Sequence, residues 1–124
     1  DPIERVFAVL TDYRGMLEMT DYNLGCPIGN LALEVGDRLP QVREKVAINF
    51  ANWCKAIEGC LEAAGDRLPA DLDRAALSRF VLTVMEGGIM QSRAHRSIKP
   101  YDDTVKQLRD YIGRLLNDKG QHGR

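Results

Sequence analysis

The chain has 124 residues, of which 44% are hydrophobic and 28% are charged, and this composition indicates one ordinary globular domain. Its net charge of −1 argues against a domain that grips nucleic acid through the phosphates. No apolar run approaches the roughly 20 residues needed to span a bilayer. The three cysteines are an odd number without metal-like spacing, which favours reduced thiols and a cytoplasmic location.

Two helices are predicted in the first third of the chain. Asp1 can cap and Pro2 can begin a helix whose apolar positions recur every three or four residues. The pattern breaks over residues 21–26. A short second helix is then predicted over Pro27–Val35, with Gly36 as its stop.

Three longer helices are predicted in the rest of the chain. The third runs from about Pro40 to Ala64, where Gly65 stops it, the fourth from about Leu72 to His95, and the fifth from Pro100 to Leu116. No segment alternates apolar and polar residues with a period of two, so no strand is predicted. The expected fold is therefore all-α with five helices.

The fourth predicted helix has two apolar sides, whereas a surface helix needs only one. Its adjacent Gly87 and Gly88 each cost about 1 kcal/mol relative to alanine, so they indicate a close approach of another backbone or a ligand. That approach is either a tight helix crossing inside one subunit or a four-helix bundle formed with a second subunit by helices four and five. Which apolar side would be the interface stays open. The interface interpretation predicts contacts from Phe80, Val84, Gly87, Gly88, Gln91, Leu108, Ile112 and Leu115.

Two segments carry a resemblance to a known family. Cys26-Pro27-Ile28-Gly29-Asn30-Leu31-Ala32 precedes the central helix, and Met85-Glu86-Gly87-Gly88 lies near the middle of the penultimate helix. With the five helices, they resemble the C-terminal domain of tetracycline-repressor-like (TetR family) regulators over residues 1–124. The resemblance implies a homodimer whose last two helices form a four-helix bundle and whose earlier helices enclose an effector pocket. It also implies that operator DNA is bound through an N-terminal helix-turn-helix domain, which is absent from this chain.

The function implied by the resemblance is that of an effector-binding and dimerisation domain of a repressor. A small apolar or aromatic effector would enter between helices one, three and four and release the protein from DNA, with no role for a membrane. An alternative from another class is a stand-alone helical protein–protein interaction module. Its second apolar side would bind a different protein rather than a second copy of the chain.

Aromatic and sulfur-containing side chains supply the candidate walls of the effector pocket, with Asn49 and Glu86 as polar candidates. Plain core packing remains the alternative for each aromatic, and a solvated charge or an ion pair for Glu86. Asn30 can either orient a ligand or cap backbone groups at the 21–26 break, and Cys26 is more typical of a buried filler than of a redox sensor. The predicted ligand-binding residues are Tyr13, Met16, Cys26, Asn49, Phe50, Trp53, Met85 and Glu86.

The sequence predicts no catalytic residues, no metal site and no cofactor. Cys54 and Cys60 are six residues apart, which places them on different sides of a helix. His95 and His122 lack companions at the spacing of zinc ligands. We therefore do not expect an enzyme.

Overall fold

The computed structural model describes residues 1–23, 25–35 and 38–122, with the side chains of all of these except 31–33, 35 and 119–122. The described residues form helices and no strand, so the all-α prediction is confirmed. A single turn of 3-10 helix, Gly65–Arg67, follows the third of five α-helices. The helices are α1 (Pro2–Met19), α2 (Pro27–Val35), α3 (Pro40–Ala63), α4 (Arg74–His95) and α5 (Lys99–His122).

Local sequence signals set several of the helix ends. The Asp1 carboxylate accepts a backbone hydrogen bond of 2.9 Å in the first turn of α1, as predicted for a cap. The Asp73 carboxylate does the same for α4 at 3.0 Å, so that helix begins at Arg74 rather than at Leu72. Gly65 follows α3 with a φ of +60°, a left-handed conformation that glycine adopts without strain, and this explains the predicted stop.

Other boundaries differ from the prediction or cannot be compared with it. The fifth helix begins one residue early and continues past the predicted end at Leu116 to His122. The predicted stop at Gly36 lies outside the described residues. The break between α1 and α2 is present, and there Asp21 and Tyr22 both have left-handed φ angles, of 53° and 61°.

The fourth helix is the centre of the domain. It packs against α3 and α5 and also contacts α1, while α2 packs on α3. The sequence showed two apolar sides on α4, and the packing explains why both are needed. One side faces α3, and α5 of the same chain covers most of the other. The buried residues of α4 are Leu77, Ser78, Val81, Leu82, Met85, Gly88, Ile89 and Ser92.

The α4–α5 crossing depends on Gly88. A Cβ atom there would lie 3.0 Å from Cδ2 and 3.4 Å from Cα of Tyr101, so only a residue without a side chain lets the helices approach this closely. The sequence left open whether this glycine serves a crossing within one subunit or an interface. The structure places its contact within one chain, so the prediction of Gly88 as an interface residue is corrected.

Tyr101 joins three helices at this crossing and is only 1% exposed. Its hydroxyl donates a 2.6 Å hydrogen bond to the carbonyl of Leu10 on α1, and its backbone N–H donates to Oγ of Ser92 on α4 at 3.0 Å. Burial raises the pKa of the Tyr101 phenol, so the group stays protonated and keeps its donor. The first turn of α5 is thereby fixed to both α1 and α4.

A charged pair adds a second connection between α1 and α5. Nε and Nη2 of Arg14 donate to the two carboxylate oxygens of Asp102 at 2.8 and 2.9 Å. This guanidinium lowers the pKa of Asp102. Both side chains are about 40% exposed (39% and 43%), so the pair orients the helices more than it stabilises them.

The crossing gives a testable prediction about two glycines. Gly88→Ala should lower the free energy of unfolding by roughly 1–3 kcal/mol, because the added methyl group crowds the buried Tyr101 ring at 3.0 Å while the Tyr101 backbone, at 3.4 Å, leaves no space on the other side. Gly59→Ala on α3 is the matched control, since a Cβ there meets no atom within 4 Å and should stabilise the helix by roughly 0.5–1 kcal/mol. Urea unfolding of both variants measures the difference, and equal stabilisation by both would contradict the close crossing.

Candidate functional site

An apolar cavity of about 240 Å³ lies between α1, α3 and α4. Tyr13, Trp53 and Met85, three of the predicted ligand-binding residues, line it. An engineered apolar cavity of about 150 Å³ is enough to hold benzene, so this one has room for a small aromatic or aliphatic molecule. The other lining residues are Val6, Val9, Leu10, Ala56, Ile57, Val81 and Leu82.

The aromatic side chains form a short chain of edge contacts between α1 and α3. The Tyr13 and Trp53 ring centroids are 6.1 Å apart, and those of Trp53 and Phe50 are 6.3 Å apart, both in T-shaped geometry. Tyr13 and Trp53 face the apolar cavity, whereas Phe50 lines the neighbouring one. The predicted aromatic cluster is therefore assembled, but it borders two cavities rather than one.

The second cavity, here called the Glu86 cavity, has a volume of about 210 Å³ and lies between α2, α3 and α4. Glu86 and Phe50 also line a more open groove between α3 and α4. Both residues therefore lie between the Glu86 cavity and this groove. Cys26, Phe50 and Glu86 from the predicted ligand set meet here. The lining residues are Cys26, Gly29, Asn30, Phe50, Glu86, Ile89, Met90 and Arg93.

The two glycines of the segment before α3 are explained by side chains that enter from α4. A Cβ atom on Gly25 would lie 2.9 Å from Cδ of Arg93, and a Cβ atom on Gly29 would overlap Oε2 of Glu86. Glu86 and Arg93 are seven residues apart, two turns along one side of α4. The start of α2 is thus shaped to receive one acidic and one basic side chain.

Burial dominates the electrostatics of the Glu86 cavity. It raises the pKa of Glu86, although a hydrogen bond from the Cys26 thiol opposes the shift. Burial and the nearby carboxyl group raise the pKa of Cys26 to about 11, against the lowering effect of the backbone N–H groups of Gly29 and Ile28. A thiol that stays protonated is a poor nucleophile, which argues against the redox-sensor interpretation of Cys26.

Three of the predicted polar or flexible residues have other roles. Asn49 is exposed, and its amide donates to the Lys45 carbonyl at 2.9 Å, so its prediction as a ligand-orienting residue is not supported. Met16 is half-buried against the core and lines neither cavity. Asn30 does not cap the break, because its Oδ1 accepts a 3.1 Å hydrogen bond from Arg93.

Two arginines at the C-terminal end of α4, Arg93 in the last turn and Arg96 directly after the helix, hold the α1–α2 connection in place. Arg93 donates to the Asn23 carbonyl at 3.3 Å as well as to Asn30, and Arg96 donates to the Tyr22 carbonyl and to Oδ1 of Asn23. Sequence reasoning missed both arginines, because a charged residue near the end of a helix is usually a solvated one. It also missed Ala56 and Ile57, which the spacing from Trp53 on α3 places on the same side of that helix.

The predicted interface residues separate into exposed and buried groups. Phe80 is 48% exposed and makes a T-shaped contact of 6.0 Å with Tyr111, which is 44% exposed. A Cβ atom on Gly87 would meet no atom within 4 Å. Val84 and Leu115 are half-buried and Gln91 is exposed.

Two other members of that set are corrected together with Gly88. Leu108 and Ile112 are only 2% and 1% exposed within the single chain. Their side chains belong to the core of the subunit, where they support the outer surface of α4 and α5 from beneath. The apolar seam on α5 that the sequence assigned to an interface thus faces mainly inward.

Comparisons with known proteins define the class of this chain. Residues 2–108 match the family model described as tetracyclin repressor-like, C-terminal domain. The chain is also 32% identical over 114 residues to uncharacterized HTH-type transcriptional regulators from two strains of Mycobacterium tuberculosis, CDC 1551 / Oshkosh and ATCC 25618 / H37Rv. These alignments cover 89% of this chain but 58% of each relative, so the chain spans little more than half the length of the curated relatives it matches. No solved structure matches the chain significantly.

The matches identify a domain of a transcriptional regulator. The chain belongs to the tetracycline-repressor-like (TetR) family and forms the C-terminal type of domain of that family, as the sequence resemblance implied. Proteins of this family are regulators and generally not enzymes. None of the helices in the described part of the chain is long and apolar enough to cross a lipid bilayer.

The raised pKa of Glu86 predicts a specific pH dependence of stability. Its pKa in the folded protein is above the ordinary 4.5, so the folded state favours the protonated carboxyl, and this contribution is complete below pH 4.5 and lost as the pH rises through the folded-state pKa. Glu86→Gln has no such titration and nearly the same shape. The melting temperature of the variant relative to the wild type should therefore increase as the pH is raised.

The measurement is thermal unfolding of both proteins in steps from pH 4.5 to pH 8 at constant ionic strength. Glu62→Gln, at an exposed position on α3, is the control and should show no comparable trend. A pH-independent difference between Glu86→Gln and the wild type would contradict the raised pKa.

Proposed function

We propose that this domain senses a small, largely apolar effector and passes its binding to a DNA-binding domain elsewhere in the regulator. The observation that carries the proposal is the apolar cavity between α1, α3 and α4, lined by Tyr13, Trp53 and Met85. Ligand sites of soluble proteins are typically concave, mostly apolar and equipped with a few polar groups, and the adjoining Glu86 cavity supplies such groups. The role is binding rather than catalysis, in a cytoplasmic regulator.

The effector would act through α1, which forms one wall of the cavity. In the family, the helix-turn-helix domains precede the domain described here, so α1 is the element closest to them along the chain. An effector that binds one position of α1 better than another shifts the population between two arrangements of the dimer. The spacing of the two DNA-binding domains would then no longer match that of the operator half-sites, and the repressor would dissociate from the DNA.

We further propose that the outer surface of α4 and α5 forms the homodimer interface. Its members are those residues of the predicted set that remain accessible in the single chain, together with Tyr111: Phe80, Val84, Gly87, Gln91, Tyr111 and Leu115. The open backbone at Gly87 permits a close helix crossing with the second copy. The stand-alone interaction module is not favoured, because the relatives are transcriptional regulators.

Filling the apolar cavity should weaken effector binding. Ala56→Phe places a ring at the cavity, whereas Ala63→Phe adds the same ring at an exposed position near the end of α3 that lines no described cavity. Compounds from an aromatic and lipophilic panel that bind should stabilise the wild type by about 2.7 kcal/mol at 100 times their dissociation constant. We expect this stabilisation to persist in Ala63→Phe and to fall by more than half in Ala56→Phe, as read from thermal shifts. Equal shifts in both variants would place the effector elsewhere.

Charges at the interface surface should dissociate the dimer without unfolding the subunit. Phe80→Glu and Gly87→Arg change accessible positions, and each should weaken dimerisation by about 30-fold or more, the equivalent of losing one interface hot spot of about 2 kcal/mol. Ile48→Glu, at a 59% exposed position on α3, should leave the dimer intact. Sedimentation equilibrium measures all three. A dimer that survives both changes, or a monomeric wild type at micromolar concentration, would refute the proposed interface.

A further inference from the structure

The Glu86 carboxyl has one oxygen without a partner. Its Oε1 atom is inaccessible to solvent, and no hydrogen-bond donor reaches it from the described residues. Leaving a buried polar atom unpaired is unfavourable, and most such atoms in folded proteins have a partner. The oxygen therefore has unused capacity to accept a hydrogen bond, beside a cavity of about 210 Å³.

The surrounding structure is arranged to keep this carboxyl group in place. Gly29 on α2 lacks the side chain that would overlap Oε2, and Cys26, just before α2, lines the same cavity as the carboxyl group. Both residues belong to the segment at the start of α2, which therefore meets the Glu86 carboxyl group on one side. The other carboxyl oxygen, Oε1, has no partner among the described residues.

The nearby cation does not neutralise Glu86. Arg93 lines the same cavity, but its guanidinium donates to Oδ1 of Asn30 at 3.1 Å and to the Asn23 carbonyl at 3.3 Å. Those bonds hold it against the α1–α2 connection. Arg79 lines the groove on the other side of Glu86, but no ion pair among the described residues includes Glu86. A carboxyl group without such a pair is suited to a donor that arrives with a ligand.

We propose that the effector is an apolar molecule ending in a hydrogen-bond donor, a hydroxyl or a primary ammonium group, which binds the Glu86 carboxyl group where it lines the Glu86 cavity. The apolar body would pack on Phe50 and Trp53, the ring pair that borders both cavities. This inference rests on the proposed sensing function and adds the chemical class of the effector. It also states a selectivity, because a ligand ending in a carboxylate would bring a second negative charge to a buried one.

The test uses four ligands that share one apolar body and differ in the end group: butylbenzene, phenylbutanol, phenylbutylamine and phenylbutyrate. Their affinities for the complete protein are measured by isothermal titration calorimetry at pH 7.5. The protein variants are Glu86→Met, which removes the acceptor, Glu86→Gln, which removes only the charge, and the exposed control Glu62→Gln. Circular dichroism confirms that each variant is folded.

We expect the preference for the alcohol and the amine over butylbenzene to fall by about tenfold or more in Glu86→Met, the effect of losing one hydrogen bond to a charged group. In Glu86→Gln the amine should lose affinity, the alcohol should be nearly unchanged and phenylbutyrate should gain. Glu62→Gln should behave as the wild type. A loss confined to the amine or to the alcohol supports the inference and identifies which donor the site takes. If Glu86→Met is unfolded, Glu86→Gln still tests the inference. A loss of amine affinity together with a gain of phenylbutyrate affinity supports it, and unchanged affinities for both contradict it.

Two results would overturn the inference in distinguishable ways. If the four ligands bind equally, or if their order is the same in the wild type and in Glu86→Met, Glu86 does not select the end group, although effector sensing in the apolar cavity survives. If none of them binds the wild type, while other panel compounds also fail to stabilise it, the sensing proposal fails together with the inference.

Discussion

The arrangement of this domain depends on one contact, the packing of the Tyr101 ring on the bare backbone of Gly88. The crossing brings α4 and α5 together, and from there the Tyr101 hydroxyl reaches the Leu10 carbonyl at 2.6 Å. A phenol that is buried without a partner would destabilise the core, so the hydrogen bond to α1 and the close helix crossing require each other. Leu10, whose carbonyl accepts this hydrogen bond, also lines the apolar cavity between α1, α3 and α4, so the contact fixes one wall of that cavity.

This contact also bears on the proposed signalling. Leu10 lines the apolar cavity and, through its carbonyl, accepts the hydrogen bond from Tyr101 on α5. Arg14 lies one turn further along α1 and is paired with Asp102, which is on α5 next to Tyr101. Under the proposed mechanism, a ligand that displaces α1 therefore acts on α5, whose outer surface is part of the proposed interface. The proposed coupling needs no long pathway, because Leu10 in the cavity wall is hydrogen-bonded directly to Tyr101 on α5.

The sequence predicted what local chemistry determines and missed what distant contacts determine. The cap at Asp1 and the end of α3 before Gly65 follow from neighbouring residues, and both were predicted. The partner of Gly88 could not be predicted, since a helical glycine has the same local pattern whether the approaching helix belongs to its own chain or to another. Tyr13, Trp53 and Met85 were predicted from two signals together, their helical spacing and the family resemblance, and all three line the apolar cavity. Asn49 was chosen for its polar side chain alone, and it faces solvent.

The Glu86 cavity shows why a purely structural explanation of this core is insufficient. A leucine or methionine at position 86 would avoid an unpaired carboxyl oxygen. The chain instead combines a half-buried acid that has one unpaired oxygen, a glycine that accommodates it and an arginine that is bonded elsewhere. Departures from good packing that occur together beside a cavity are typical of a site shaped for a ligand, because the ligand supplies the missing contacts.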